Sequence, residues 1–227
     1  MAMPKASDKP KRAKVANKLP KKTTTASGAF STALSVPKEV SRVTEALEKA
    51  GFQAFLVGGC VRDLLLGKKP KDWDVTTDAT PEQIIALFED TFYENVYGTV
   101  GVVNKKPADG GDGEVEPSLK VVEVTPFRLE AEYSDGRRPD AVTYSKNSAD
   151  DLKRRDFTIN ALALKLGGEV TDLYSGQADL KAKLIKAVGS ADERFKEDGL
   201  RLLRAVRIAT EHNFTIEAQT EAAIRAD

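Results

Sequence analysis

The sequence predicts an α/β fold with a mixed sheet, followed by an all-helical segment. Short apolar runs bounded by glycine alternate with helical patterns in the first half of the chain, which is typical of α/β proteins. From residue 150 onward helical periods dominate, with a brief strand-like interruption at 162–172. This change of pattern places a boundary near Leu184, so we predict a first domain at 34–183 and the start of a helical domain at 184–227.

The elements of the first domain follow from apolar spacing and from the residues that end helices. Val40, Val43 and Leu47 lie on one stripe of a predicted helix, and Gly51 suits the position just past its end. The stretch 80–83 has the pattern of a capping box, with proline at the first helical position. The sequence predicts helices at 37–50, 60–66 and 80–88, strands at 52–57, 72–77, 91–97, 99–104 and 120–127, and loops at 105–119 and 131–150.

Residues 1–33 form a predicted disordered basic tail. They hold eight lysines and arginines against one acid, Asp8, and almost no large apolar residues, so folding would not offset the entropy of ordering them. The tail's net charge of about +7 is balanced by about −7 over the rest of the chain. A solubilising or cloning-derived tail, a basic arm that contacts the RNA backbone, and a transit peptide all remain open.

Composition excludes several classes of protein. One cysteine (Cys60) and one histidine (His212) cannot build a disulfide framework or a structural zinc site. The single cysteine fits a reducing compartment, and we predict a cytoplasmic location. No apolar run approaches the length of a membrane span, so we predict no membrane association. Any metal should therefore be a hard cation held by carboxylates.

A glycine pair marks the first candidate site. Gly58 and Gly59 end a predicted strand, a helix follows, and Arg62 lies in its first turn. Glycine lets backbone N–H groups approach a ligand closely, so this turn is a reasonable phosphate cradle. The spacing matches neither a P-loop nor a dinucleotide fingerprint. A tight turn with structural glycines explains the pattern about as well.

Acidic residues on two predicted strands form the second candidate site. Asp72 and Asp74 point to the same face of a strand, about 6.6 Å apart at Cα. They repel each other unless they face water or bind a metal such as Mg²⁺. Glu123 supplies a third carboxylate in an otherwise apolar strand, unless it lies on an exposed face. A phosphate cradle beside a two-carboxylate metal site is what nucleotidyl transfer requires.

A third cluster follows at 154–161. Arg155, Asp156 and Asn160 are predicted to lie on one side of a helix start. Arginine would hold phosphate there, while the aspartate and asparagine would bond ribose hydroxyls. The alternative is an aspartate that caps the helix, flanked by surface arginines.

The last cluster lies on a predicted helix near the C-terminal end. Asp198 and Arg201 are i,i+3 neighbours on its polar face. They form either a surface ion pair or a set of acceptors and donors for a base edge, with Arg204 and Arg207 behind them on phosphate or stacked. The predicted apolar stripe of this helix comprises Leu200, Leu203, Val206 and either Ala209 or Ile208.

In this order, the motifs closely resemble the class II nucleotidyltransferases of the polymerase-β superfamily. That group comprises tRNA CCA-adding enzymes, their CC- and A-adding relatives, and bacterial poly(A) polymerases. The resemblance covers residues 37–227 and implies a polymerase-β-like head domain followed by a helical neck. It rests on the segments 58–63 with 72–74, 123–128, 135–139, 154–161, 172–180 and 194–207.

The resemblance also implies roles for the candidate residues. Asp72 and Asp74 would hold the catalytic Mg²⁺ ions, with Glu123 as the third carboxylate. Gly59 and Arg62 would contact the triphosphate of the incoming nucleotide, beside Gly58. The other implied nucleotide-binding residues are Arg155, Asp156 and Asn160 for ribose and phosphate, and Asp198, Arg201, Arg204 and Arg207 for the base. The segment 172–180 would be the hinge between head and neck.

The implied reaction is attack of a tRNA 3′-hydroxyl on the α-phosphate of CTP or ATP, which expels pyrophosphate. An A-adding or poly(A)-adding enzyme, and an inactive nucleotide- or RNA-binding module, are the alternatives. Residues 127–132 are acidic where poly(A) polymerases of this group usually carry a basic segment, and 135–139 look more like tRNA-adding enzymes. Family members continue into body and tail domains, so we expect this chain to be a fragment or an unusually short relative. The sequence predicts no oligomeric state.

Overall fold

The computed structural model of the chain describes residues 34–94, 97–131, 133–134, 136–137 and 139–226. The predicted basic tail at 1–33 lies outside the described residues, as do Asn95 and Val96 of the predicted strand at 91–97 and Glu132, Asp135 and Arg138 of the predicted loop. Within these ranges, no helix is long and apolar enough to cross a membrane.

A mixed sheet of seven strands organises the described part of the first domain. Its spatial order is β3-β4-β5-β2-β1-β8-β9, in which β2 and β5 run parallel and all other neighbours are antiparallel. This confirms the predicted mixed sheet. The strands are β1 (Ala54–Val57), β2 (Asp74–Thr77), β3 (Thr91–Tyr93), β4 (Val100–Val103), β5 (Val121–Pro126), β8 (Leu162–Leu164) and β9 (Val170–Asp172), while β6 (Arg128–Glu130) and β7 (Val142–Tyr144) pair separately as a hairpin.

Apolar side chains cover both faces of this sheet. Because successive side chains of a strand point to opposite faces, β1 contributes Leu56 to the large core and Val57 to a small second cluster with Leu152. The large core includes the buried stripe of the first helix, as its spacing predicted. The helices of this part are α1 (Lys38–Lys49), α2 (Gly59–Leu65), α3 (Pro81–Leu87), α4 (Ser148–Lys153) and α5 (Gly176–Lys181).

Most helix ends lie where local chemistry predicts them. Thr80 and Gln83 form the predicted capping box, in which each side chain accepts from the other's backbone N–H. The predicted loop at 131–150 is wrong in part, since it contains β7 and the start of α4. The short β-branched and aromatic run of β7 is surrounded by polar residues, and Asn147 caps α4 by accepting from Ala149 N–H.

The predicted all-helical segment contains a small parallel sheet. It holds β10 (Leu184–Ile185), α6 (Ala191–Glu197), α7 (Leu200–His212), β11 (Thr215–Ile216) and α8 (Ala218–Ala226), and β10 pairs with β11. The predicted domain boundary near Leu184 therefore falls on a strand. The predicted apolar stripe of α7 is wrong, because Leu200, Leu203 and Val206 lie outward, with Leu203 69% exposed. The buried residues of α7 are Arg201, Ala205, Ile208 and Ala209.

Candidate active site

The site is centred on the turn between β1 and α2. Gly58 has φ +80°, a conformation that L side chains rarely adopt. A Cβ built on Gly58 would lie 3.2 Å from Nη1 of Arg155 and 3.3 Å from Oδ2 of Asp74. Glycine is therefore required both for the backbone turn and for the close approach of these two side chains. The turn brings a predicted phosphate ligand and a predicted metal ligand together.

Carboxylates from adjacent strands lie beside this turn. Asp74 opens β2 and pairs in register with Glu123 of the parallel strand β5. The pKa of Asp74 is raised to about 6, mainly by burial; the charge of Arg155 lowers it and that of Asp72 raises it. Burial, followed by the charge of Asp74, raises the pKa of Glu123 to about 7. Asp72 is exposed and lies in a bend before β2, so the prediction that it shares a strand face with Asp74 is wrong. The site therefore concentrates negative charge that a cation would neutralise.

The donor set fits a magnesium ion that receives part of its coordination from elsewhere. Carboxylate oxygens are hard donors, and Mg²⁺ is usually bound by one or two carboxylates together with substrate phosphates and water. Among the residues that the structure describes, no group of three or more His, Cys, Asp or Glu side chains is arranged to hold a metal ion. The assignment of Asp72, Asp74 and Glu123 as metal and catalytic residues thus stays a prediction.

A chain of hydrogen bonds joins four predicted nucleotide-binding residues. Arg62 donates from Nη1 to Oδ1 of Asn160 at 3.0 Å, and its Nε and Nη2 each lie 2.9 Å from Oδ1 of Asp63. Asn160 donates to Oδ1 of Asp156 at 3.1 Å. Arg204 of α7 holds the other oxygen of Asp156 through Nε at 2.8 Å and Nη2 at 2.7 Å. The helical segment is therefore bonded directly to the site.

The predicted helix start at Arg155, Asp156 and Asn160 is wrong. Helix α4 ends just before these residues, and Asn160 closes a short 3-10 turn at Thr158–Asn160. Phe157, between them, has extended backbone angles, which suits a fully buried aromatic that faces the core. The alternative of a capping aspartate is also wrong, because Asp156 is buried and bonded to Arg204.

The predicted pairing of Asp198 with Arg201 is replaced by other contacts. Arg201 is buried and donates from Nη1 to Oε2 of Glu197 at 2.6 Å, and from Nη2 to the carbonyl of Arg154 at 3.2 Å. Asp198 lies between α6 and α7, not on the polar face of a helix as predicted, and its Oδ1 accepts from the N–H of Leu200 at 2.9 Å. The surface ion pair between Asp198 and Arg201 is therefore wrong.

Arg207 lies on the other side of the site. It lines a cavity of about 400 Å³ together with Arg62, Asp72 and three lysines of the 68–71 loop. Since Arg62 and Asp72 are both candidate site residues, Arg207 faces the predicted site from α7. This placement agrees with a role near phosphate.

Three carboxylates at the site were missed by sequence reasoning. Asp63 holds Arg62, Asp151 holds Arg154 and Arg155, and Glu130 holds Arg154 from β6. Asp151 precedes Arg155 by four residues, which is the spacing of an acid–base pair on a helix, and this signal was available in the sequence.

Comparison with known proteins agrees with this geometry. The sequence profile of the Poly A polymerase head domain matches residues 54–186, more than half of the chain. The chain belongs to this family. The resemblance to class II nucleotidyltransferases is thereby confirmed, and so is the predicted fold.

Three similar proteins show how much of the chain is matched and at what sequence identity. The CCA-adding enzyme of Lactiplantibacillus plantarum is 48% identical over 183 residues, which cover 80% of this chain and 42% of that protein. The crystal structure of the Bacillus stearothermophilus CCA-adding enzyme in complex with CTP is 37% identical, with a TM-score of 0.69, over 82% of this chain and 42% of that chain. A tRNA nucleotidyltransferase complexed with a primer tRNA and an incoming ATP analog is 27% identical, with a TM-score of 0.59, over 81% of this chain and 49% of that one. The chain spans about two-fifths of the length of the curated relative.

Proposed function

We propose that this chain is the nucleotidyl-transferring part of a tRNA CCA-adding enzyme of the cytoplasm. It would add CMP and AMP, from CTP and ATP, to tRNA 3′ ends. The observation that carries this proposal is the register pairing of Asp74 with Glu123 beside the Gly58 turn, where Arg155 also converges. Similar proteins bear the name CCA-adding enzyme, and solved relatives contain CTP or a primer tRNA with an ATP analog.

The carboxylates would hold Mg²⁺ at the reacting phosphate. Asp72 and Asp74 are the proposed ligands, with Glu123 as the third carboxylate. Bound magnesium would lower the pKa of the RNA 3′-hydroxyl and neutralise charge on the leaving pyrophosphate. The raised pKa values of Asp74 and Glu123 support this role, because they reflect buried carboxylates that favour a nearby positive charge.

The arginines around the turn would hold the triphosphate. Arg62 lies on the first turn of α2, and Asp63 and Asn160 fix its guanidinium. Arg155 places Nη1 over Gly58. Neither guanidinium needs to reorganise on binding, so the α-phosphate can be oriented for attack by the 3′-hydroxyl and for departure of pyrophosphate.

The start of α7 would read the base. Asp198 offers acceptors, while Arg201 offers the donors that Glu197 and the carbonyls of Arg154 and Arg194 leave unused. Arg204 supports this face through Asp156, and Arg207 extends the positive charge towards the cavity beside Asp72. A fixed pair of donors and acceptors in this position discriminates bases by their hydrogen-bonding edges.

The test is incorporation of labelled CTP and ATP into tRNA that lacks CCA. The chain is incubated with this tRNA and Mg²⁺, as wild type, as Asp74→Asn, and as Asp90→Asn, a control whose carboxylate pairs with Lys105 away from the site. We expect both nucleotides to be incorporated by wild type and by Asp90→Asn, and neither by Asp74→Asn. Incorporation of ATP alone would instead indicate an A-adding or poly(A)-adding enzyme. Absence of both would contradict the proposal and indicate a binding module.

A further inference from the structure

We propose that Asp151 is a positioning residue that holds the guanidinium of Arg155 over the Gly58 turn for nucleotide binding. The proposal rests on the proposed function, because Arg155 is a nucleotide ligand only if that function is correct. Asp151 itself lies behind Arg155 and would act through it.

Asp151 takes one edge of the Arg155 guanidinium and leaves the other edge to the site. Its Oδ2 accepts from Nε of Arg155 at 3.2 Å and from Nη2 at 2.8 Å. Within the described residues Nη1 makes no hydrogen bond, and it lies 3.2 Å from the position of a Cβ built on Gly58. The side-on pairing therefore fixes the plane of the guanidinium and directs its remaining donor to the turn beside Asp74.

The second oxygen of Asp151 is also occupied. Oδ1 accepts from Nε of Arg154 at 2.9 Å and from Nη2 at 2.6 Å. Arg154 in turn donates from Nη1 to Glu130 at 3.1 Å, and Glu130 pairs with Arg128 at 2.9 Å. Alternating charges thus run from the Gly58 turn to the β6–β7 hairpin. Asp151 cannot rotate without breaking bonds at both oxygens.

Burial makes this arrangement stiff, and the two neighbouring arginines keep Asp151 charged. The Asp151 side chain is fully buried, and those of Arg154, Arg155, Glu130 and Arg128 are at most 18% exposed. Burial alone would raise the pKa of Asp151, but the charges of Arg155 and Arg154 lower it to about 2. The carboxylate is therefore ionised across the working pH range, so its hold on Arg155 is constant.

A merely structural role for Asp151 has to be separated from positioning. Removing the side chain would take the carboxylate from the buried Arg155, would leave Arg154 with Glu130 alone, and would threaten the fold. Asp151→Asn is the better variant, because it keeps an acceptor and a similar shape while it removes the charge. Asp150→Asn is the matched control, since Asp150 is the preceding residue of α4 and its carboxylate bonds the Ser145 hydroxyl instead.

The decisive measurement is calorimetric binding of a non-reactive α,β-methylene analogue of CTP, without RNA, to the full chain. We expect Asp151→Asn to weaken binding about tenfold, as loss of one charge-assisted contact would. Asp150→Asn should stay within about twofold of wild type. Arg155→Gln should weaken binding, and adding Asp151→Asn to Arg155→Gln should change nothing more, because Asp151 acts only through Arg155. In turnover, KM for CTP should rise while KM for tRNA stays the same.

Each other outcome overturns the proposal in a distinguishable way. Equal affinity of Asp151→Asn and wild type, or additive losses in the double variant, shows that Asp151 does not position Arg155. Equal affinity of Arg155→Gln and wild type shows that the nucleotide site itself is misplaced, so the proposed function loses its phosphate ligand as well. If Asp151→Asn does not fold, Arg155→Lys replaces it. Lysine keeps the charge but lacks the side-on edge, so unchanged affinity in Arg155→Lys also overturns positioning.

Discussion

Replacement of Gly176 by alanine should disturb both the fold and the site, although it adds a single methyl group. It begins α5, and its N–H donates to Oδ1 of Asp172 at 2.8 Å. A Cβ there would lie 2.1 Å from the carbonyl oxygen of Thr158 and 2.8 Å from its carbonyl carbon. Both are backbone atoms, so no side-chain rotation relieves the clash. The α5 backbone and the Thr158–Asn160 turn must separate by about 1 Å.

The cost of this separation sets the expected size of the effect. Overpacking a well-packed interior typically costs about 1–3 kcal/mol, and a backbone-to-backbone clash belongs at the upper end. About 3 kcal/mol lowers the melting temperature of a chain of this size by about 6–12 °C. Because Asn160 lies on the displaced turn and bonds Arg62, affinity for the CTP analogue should fall as well.

Thermal unfolding followed by circular dichroism measures this effect, with Gly199→Ala as the matched control. Gly199 has φ −61°, and a Cβ there would meet nothing within 4 Å. Alanine at 199 should be neutral, or stabilising by about 0.4–1 kcal/mol, because it restricts the unfolded chain. A melting temperature of Gly176→Ala within about 2 °C of wild type would refute the reasoning, since it would show that the backbone accommodates a Cβ at little cost.

Three further predictions concern stability. The pKa values of Glu123 (about 7 against 4.5) and Asp74 (about 6 against 3.8) are raised in the native state, which therefore binds more protons than the unfolded state at mildly acidic pH. In EDTA, the free energy of unfolding in urea should fall as pH rises from 5 to 8, and Glu123→Gln should make this dependence on pH weaker. An unchanged dependence on pH in Glu123→Gln would contradict the raised pKa of Glu123. Trp73→Phe should change the free energy of unfolding in urea by less than about 1 kcal/mol. The lost ring area is offset because the variant removes a buried indole N–H that has no partner among the described residues. A loss above about 3 kcal/mol would mean that this N–H has a hydrogen-bond partner. Thr80→Ala removes the acceptor for the Gln83 N–H and should cost about 1 kcal/mol, seen as a small fall in melting temperature, whereas an unchanged value would show that the box contributes nothing.

Sequence patterns predicted the elements whose causes are local. The stripe of α1, the glycine turn and the capping box of α3 each depend on residues within a few positions of one another. Asp74 and Glu123 lie in strands that period and composition predict, but their pairing in register depends on the order of the strands. The mixed character of the sheet was predicted and is confirmed, although its strand order could not be read from the residues.

The predictions are wrong where contacts between residues far apart in the sequence determine the position and burial of a side chain. Arg201 is polar and was placed on a surface, but Glu197 and a backbone carbonyl satisfy its guanidinium, so it is buried while Leu203 faces outward. Asp156 was expected at a helix start, but Arg204 from a distant helix holds it in a buried position. No local pattern encodes a partner that lies so far along the chain. The functional roles of these residues remain predictions.

The parallel pairing of β10 with β11 has a mechanical consequence. Immediately after β10, the backbone carbonyl of Lys186 accepts from the N–H of Thr158, and the N–H of Val188 donates to the backbone carbonyl of Asp156. The segment that leads into α6 is thus hydrogen-bonded to the 156–158 stretch on one side and to β11 on the other. Amide protons of β10 and of the 156–158 stretch should exchange with deuterium at one shared rate, because opening either requires both to open. A rotation of the last helices would therefore be transmitted directly to the arginines that we propose to bind phosphate.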